Sequence, residues 1–321
     1  MHELYSVSNS IQTRLTPLVG TITRRSNIDE LGEQLDFDLA FNDDKYTPVA
    51  PVDIGSLIVL QNRDEIFRGI VVTETKNGRE SIQYNCFDYA FYLNKSKGIY
   101  QFNKVKGEVA ITTMLNEFSV PIGNIELLGI VVDKIYQEEI SSIIKDILDQ
   151  AEKQTGIKYR MEMRTGKLFI EKQQNQIIKA SFKLYETGPE VDVVTAIRNP
   201  SRKRSIENMR NSIKVTGNDK VIAEARNETL IKQYGLLQEI SQLDDKDIAQ
   251  AKNIAQNMLK DLGKIFEESS IEVPGDDQVR AGRILEITES VTGMSGQYLI
   301  KDVTHTISGG LHTMYLGLEV I

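Results

Sequence analysis

The sequence has one cysteine, no tryptophan and three histidines among its 321 residues. With Cys86 alone, no intrachain disulfide can form and no cysteine-based zinc site can be built. Thiol chemistry is also poorly served. Cys86 sits mid-strand in Tyr84-Asn85-Cys86-Phe87-Asp88-Tyr89, and no helix N-terminus follows it to lower its pKa. The absent tryptophan and the 7% aromatic content disfavour a carbohydrate- or peptide-binding module, which would present aromatic clusters. No apolar run approaches the roughly 20 residues that cross a bilayer, so no membrane insertion is expected. The start, MHELYSVSNS, has neither the basic nor the apolar region of a signal peptide, so synthesis and first folding in a cytoplasm are expected. Positive charge is in deficit: the formal net charge of −8 argues against nucleic-acid binding, sequence-specific or general, which needs a basic face. There is no G-x-S-x-G elbow, P-loop or G-x-G-x-x-G.

What is present is mostly strand. Leu35, Phe37, Leu39 and Phe41 alternate with polar residues, the period of a strand with one buried face. A corner follows at Pro48 to Pro51, then a strand after Gly55. Phe67 to Thr75 and Ser81 to Tyr89 flank Asn77-Gly78, which predicts a hairpin. From about residue 106 the period becomes helical. Ala110, Ile111, Met114, Leu115 and Phe118 share a face until Pro121. Ser141 is placed to cap a second helix that ends at Gly156, and a hairpin around Thr165-Gly166 follows. A third helix, capped at Asp244 and closed by Gly263, carries Ile248, Ala251, Ala255, Met258, Leu259 and Leu262 on one stripe.

Two stretches repeat. Val52-Asp53-Ile54-Gly55 and Val279-Arg280-Ala281-Gly282 each open an apolar strand. Each is followed by a longer strand, containing Val72-Thr73-Glu74-Thr75 or Val303-Thr304-His305-Thr306, and then by a glycine turn and a last alternating strand. The shared order predicts two similar β-barrel-like domains. The fold class read from the sequence is therefore mainly β with an α+β insert: two tube-like β-barrels, a small α/β domain and one long helix. The expected division is 1–105, 106–190 and 191–321, with the helix near 244–263. Within the repeat, Pro274-Gly275-Asp276-Asp277 is a corner rather than an acid–base pair: proline, glycine and aspartate suit turns, and adjacent carboxylates on an extended chain point apart. Gly55, Gly282, Pro274 and Gly275 are thus expected structural corners. Valine at Gly55 or Gly282 is expected to harm folding more than alanine at Asp277.

Catalytic and metal residues are expected to be absent, and no cofactor is implied. A turn at Gly309-Gly310 would put His305 and His312 on one strand face as diagonal neighbours, but a metal needs a third and usually a fourth ligand, and no carboxylate of that face supplies one. The basic run Arg198, Arg202, Lys203 and Arg204, with Arg210 beyond it, lacks interleaved aromatics for nucleic acid. It reads as a solvated loop or a subunit contact made by arginine forks.

Several stretches together resemble the XkdQ/YqbQ family of PBSX-like phage tail proteins. They are Phe67-Arg68-Gly69-Ile70, Tyr84 to Tyr89, Leu93-Asn94-Lys95-Ser96-Lys97 with Tyr100 and Phe102, Val120-Pro121-Ile122-Gly123-Asn124 and Lys153-Gln154-Thr155-Gly156. Further along lie Ser205 to Asn211, Tyr234 to Gln238, Val273 to Asp276 and Tyr298 to Lys301. The resemblance implies a baseplate hub of a contractile tail, in a phage or a phage-derived bacteriocin. Such a hub is a homotrimer whose paired barrels match the six-fold tail tube protein above and the three-fold central spike protein below, among other baseplate proteins. The acidic balance suits a channel that DNA or a tape-measure protein passes without sticking. The expected location is the tail of a virion or tail-like particle, assembled in the host bacterial cytoplasm. The competing reading is a tail-associated peptidoglycan hydrolase whose chemistry lies in the insert, but that segment has no histidine or cysteine and its acids fall on helix faces.

Overall fold

The structure is a computed structural model that describes residues 1–8, 11–40, 52–183, 188–217, 220–243 and 250–321. The N-terminal strands are β1 (Glu3–Ser8), β2 (Ile11–Arg14), β3 (Val19–Asn27), β4 (Glu33–Leu39), β5 (Leu57–Asn62), β6 (Asp64–Thr75) and β7 (Ile82–Asp88). In β4 every second residue is buried, which places Leu35, Phe37 and Leu39 in a core with Leu60, Phe67 and Cys86. Phe41, the Pro48 to Pro51 corner and Asp244 lie outside the described residues.

The insert runs α1 (Ala90–Lys95), β8 (Lys97–Lys106), α2 (Gly107–Glu117), β9 (Ile122–Ile125), β10 (Val131–Glu139), α3 (Ile140–Thr155), β11 (Tyr159–Arg164) and β12 (Lys167–Lys172). Ile111, Met114 and Leu115 of α2 share its core with Ile143, Ile144 and Ile147 of α3. Helix α3 ends at Gly156, as its sequence predicts, but its N-cap is Glu139 rather than Ser141. The helical period begins one residue before the serine, so Ser141 lies inside the first turn.

Then come β13 (Ser181–Phe182), β14 (Val191–Asp192), β15 (Arg198–Ser205), β16 (Ser212–Gly217), β17 (Lys220–Arg226), α4 (Glu228–Tyr234), β18 (Gln238–Gln242), α5 (Ala251–Leu262), β19 (Phe266–Pro274), β20 (Ile284–Glu289), β21 (Met294–Ser308) and β22 (Leu311–Val320). The chain is mainly β with a smaller α/β part, but its compact units are cut elsewhere than at 105 and 190. One unit comprises Met1–Pro200 and Ser270–Ile321; the other is Ser201–Ser269. The second unit is the sheet β17-β16-β18, whose Ile213 and Val215 pack with Ala251 and Ala255 of α5. The two boundaries fall within β15 and β19.

The repeat is visible in hydrogen bonds. Gly55 N–H donates to Val71 O and Gly282 N–H to Ile300 O, both at 2.8 Å; Val71 N–H returns to Ser56 O and Ile300 N–H to Arg283 O, at 3.0 and 2.9 Å. A register shift follows each, between Val71 and Thr73 in β6 and between Ile300 and Asp302 in β21. The neighbours run β3-β4-β7-β6-β5 in one copy and β15-β19-β22-β21 in the other, with β20 on β21. The copies are not separate tubes. They join edge to edge where β3 pairs with β21, from Thr21–Ser308 to Asn27–Asp302, in one sheet of 12 strands. Among the described residues that sheet is an open path from β15 to β2, and neither barrel-like copy is closed there.

Candidate functional site

The corner after β19 holds the densest polar chemistry among the described residues. Asp276 is a turn residue, as expected: its carboxylate accepts from Ser181 N–H at 2.8 Å and Gln278 N–H at 2.9 Å. Asp277 points elsewhere. It accepts from His2 Nε2–H at 2.8 Å and Asn62 Nδ2–H at 2.8 Å, and His312 Nδ1 lies 3.8 Å from the same Oδ1 that faces His2. Burial pushes the Asp277 carboxyl up, but the His2 and Asn62 hydrogen bonds and the two imidazoles outweigh it and bring it to about 2. His2 and His312 therefore meet at one carboxylate, with His305 behind His312, and an acid that the strand face itself does not supply reaches the histidine pair through His312. That acid comes from the neighbouring corner and His2 from the chain's other end, neither of which a strand-face argument considers.

The hairpin register is the expected one, with His305 opposite Met314 and His312 opposite Ile307. His305 Nδ1 and His312 Nε2 are 2.9 Å apart. His305 Nε2 has two neighbours, the Val279 carbonyl at 2.9 Å and Arg24 Nη2 at 2.8 Å, and serves one at a time. Protonated at Nε2, His305 donates to Val279 and accepts from His312 Nε2–H, which leaves His312 Nδ1 a bare lone pair facing Asp277. Protonated at Nδ1, it accepts from Arg24 and donates to His312. Burial keeps both rings neutral, lowering His305 well below the usual imidazole range and His312 to about 4. Gly275 fits this corner for a steric reason: a Cβ there would lie 2.0 Å from the ring of His312. The cluster lines a cleft of about 1570 Å³.

Behind the corner lies a buried ionic network. Arg280 donates to the Ile66 and Met163 carbonyls at 2.8 and 3.0 Å and stands 3.4 Å from Glu33 and 3.5 Å from Glu162. Arg283 pairs with Glu162 at 2.9 Å. Asp88, beside this network, accepts from Glu33 N–H at 2.7 Å and Ala90 N–H at 3.0 Å. Burial pushes its carboxyl up to about 7, the Glu33 charge adds to the rise, and Arg280 opposes it. An unfolded aspartate titrates near 3.9. Between pH 4 and 7 the native state thus keeps a proton that the unfolded chain has lost, so stability falls as pH rises through that window and levels off above it. The Asp88 contribution is on the order of 4 kcal/mol. Its carboxyl carbon should titrate near pH 7 by NMR, and Asp88→Asn should flatten the slope of unfolding midpoint against pH from 4 to 7. A resonance titrating near 4 refutes this.

The basic run is drawn into the chain's own contacts. Arg202 pairs with Glu267 at 2.7 Å, Lys203 with Glu268 at 3.3 Å and Arg210 with Glu239 at 3.1 Å, while Arg198 and Arg204 are exposed. The sequence showed the run but not that β19, directly beside it, carries Glu267, Glu268 and Glu272. Gly55 and Gly282 both occupy positive φ, +81° and +87°, and Pro274 ends β19.

This fold is that of prophage tail proteins. It is similar to the 43 kDa tail protein of prophage MuSo2 from Shewanella oneidensis, with TM-score 0.70 and 12% identity over 98% of both chains. It is also similar to a tail protein from Neisseria meningitidis MC58, with TM-score 0.71 and 11% identity over 99% of this chain and 96% of that one. Residues 22–319 match the YQBQ-like family, and the chain belongs to it. An uncharacterized protein of Bacillus subtilis (strain 168), YqbQ, is 24% identical over 266 residues, covering 78% of this chain and 76% of the relative.

Proposed function

We propose that this chain is a structural hub protein of a contractile tail baseplate, in a phage or a phage-derived bacteriocin, with no enzymatic role. As a homotrimer it would join the six-fold tail tube to the three-fold central spike, beside other baseplate proteins and around a channel for DNA or the tape-measure protein. The observation that carries the reading is the junction of the two repeat copies. Strand β3 of the first copy pairs with the far half of β21 in the second. By the same equivalence β15 corresponds to β3, and the far half of β6, near Thr73–Thr75, to that of β21. Strand β15 ends the sheet path, and β6 in that half pairs only with β7 among the described residues. A second chain could set its β15 on this β6 by the contact already made inside the chain. Such a head-to-tail contact generates a ring when the rotation closes, and three chains of two copies give the six positions a tube requires.

In this ring the basic run lies on the joining strand. Arg198 and Arg204 are its interface residues, whereas Arg202, Lys203 and Arg210 hold the chain's own acids. Arg198→Glu with Arg204→Glu should weaken trimer formation by more than tenfold, from shielded arginine pairs each worth about 1.5–3 kcal/mol, and leave the monomer's melting unchanged. Arg202→Glu should instead lower the melt, because Glu267 would lose this arginine and face a like charge. Light scattering with thermal unfolding separates the two. A monomer at all concentrations, or normal particles from cells lacking the gene, would overturn the hub reading. Clearing of purified cell wall in a zymogram would favour the hydrolase.

A further inference from the structure

We propose that His2, Asp277 and His312 form a binding site for one divalent transition-metal ion, of the zinc class, that staples the N-terminus to the C-terminal hairpin. His2 Nε2, an Asp277 carboxylate oxygen and His312 Nδ1 lie within 4.8 Å of one another. Two imidazoles and one carboxylate are a donor set that suits zinc and its neighbours, and the nitrogens disfavour magnesium and calcium. Ligand atoms around a tetrahedral ion with bonds of about 2.0–2.1 Å are roughly 3.3 Å apart. The 2.8 Å between His2 and Asp277 and the 3.8 Å between His312 and Asp277 bracket that separation. The His2–His312 pair, within 4.8 Å, must draw in by up to about 1.5 Å to close the site, with the proton on His2 Nε2 moving by way of solvent to its Nδ1 as the ion enters.

The surroundings are those of a built site. A ligating imidazole is normally fixed by a hydrogen bond from its other nitrogen. With His305 protonated at Nε2, His312 has that bond, donating from Nε2 to His305 Nδ1 while His305 donates to the Val279 carbonyl. This tautomer leaves His312 Nδ1 free for the ion. Asn62 orients the second oxygen of Asp277, and its own Oδ1 accepts from the Met1 ammonium at 3.0 Å, which holds His2 in place. All three ligands line the cleft, so an ion and a completing water can reach them. The contacts join residues 275 positions apart in the sequence, so the ion would close a loop of nearly the whole chain.

The test uses the full chain beginning at Met1, with no added histidine tag, stripped by a chelator and titrated with Zn²⁺ and with Co²⁺. One ion should bind per chain, Co²⁺ should give the intense visible bands of a four- or five-coordinate site, and Zn²⁺ should raise the melting temperature. Because the chain has three histidines and its one cysteine is buried, imidazole ¹⁵N shifts on Zn²⁺ binding can come only from this cluster. They should show His312 bound through Nδ1 with its proton on Nε2. Asn62→Ala should weaken binding about 10–100-fold, as loss of an outer-shell partner does, and His2→Gln or Asp277→Asn should weaken it further. Should Asp277→Asn fail to fold, His2→Gln decides, since its side chain belongs to the first strand's end and to no core cluster. Failure to bind one ion per chain at micromolar Zn²⁺, or binding undiminished in His2→Gln, overturns the proposal. Neither result bears on the hub reading, which rests on the sheet edges.

Discussion

Gly282→Val should lower the unfolding free energy by about 3–5 kcal/mol, and Gly55→Val by about 1–3 kcal/mol. Both glycines sit at positive φ, where a β-branched side chain is strained, and both make the same backbone bond to the second strand after them, β6 or β21. Only their surroundings differ. A Cβ on Gly55 meets nothing within 4 Å, whereas one on Gly282 would lie 2.5 Å from Arg160 Nε. Arg160 is in no position to yield, because it is half-buried and donates to the Ile28 carbonyl at 2.8 Å and the Asn27 carbonyl at 3.2 Å. Strain adds to displacement at one site and acts alone at the other. Urea melts of the two variants check the order, and equal midpoints would refute it. Asp277→Ala is no longer the mild comparison that the sequence predicts. It strands the His2 and Asn62 donors, a loss of about 1–3 kcal/mol that overlaps the Gly55 range.

Arg280→Met should be as damaging, at about 3–5 kcal/mol. Methionine roughly matches the aliphatic volume of the arginine, so the loss is electrostatic. Glu33 and Glu162 would keep their charges in a buried site with one cation fewer, and the Ile66 and Met163 carbonyls would lose their donor. Glu162 retains Arg283, so the stranded charge is chiefly that of Glu33. Arg280→Met with Glu33→Gln should therefore recover at least about 1 kcal/mol relative to the single variant. A double variant no more stable than Arg280→Met alone would show that the arginine acts through its carbonyl bonds instead.

The parts of the fold legible in the sequence were those decided by local chemistry. Alternation gave β4, Asn77-Gly78 gave the β6–β7 hairpin, and Gly309-Gly310 gave a register accurate enough to put His305 and His312 on one face. The two Val-x-x-Gly corners were legible because one backbone bond demands the same glycine twice. What failed was pairing between distant segments. Nothing in β3 marks β21 as its neighbour, because any alternating strand offers the same edge groups. The acid reaching His312 was equally hidden: Asp277 was read as part of a turn, and only the packing of the corner on β22 turns it toward the imidazoles. The acidic partners of the basic run were missed for the same reason.

The pairing of β3 with β21 also bears on how the chain can be made. Thr21 and Ser308 face each other across a stretch that includes the insert and the second compact unit, so their ladder cannot begin until β21 has left the ribosome. Until then β3 offers a row of unpaired amides and carbonyls to any passing strand, the surface from which aggregation starts. Contacts of such high sequence separation form slowly once they become possible. Chains truncated before β21 should therefore accumulate as insoluble protein even though the first repeat has a core of its own.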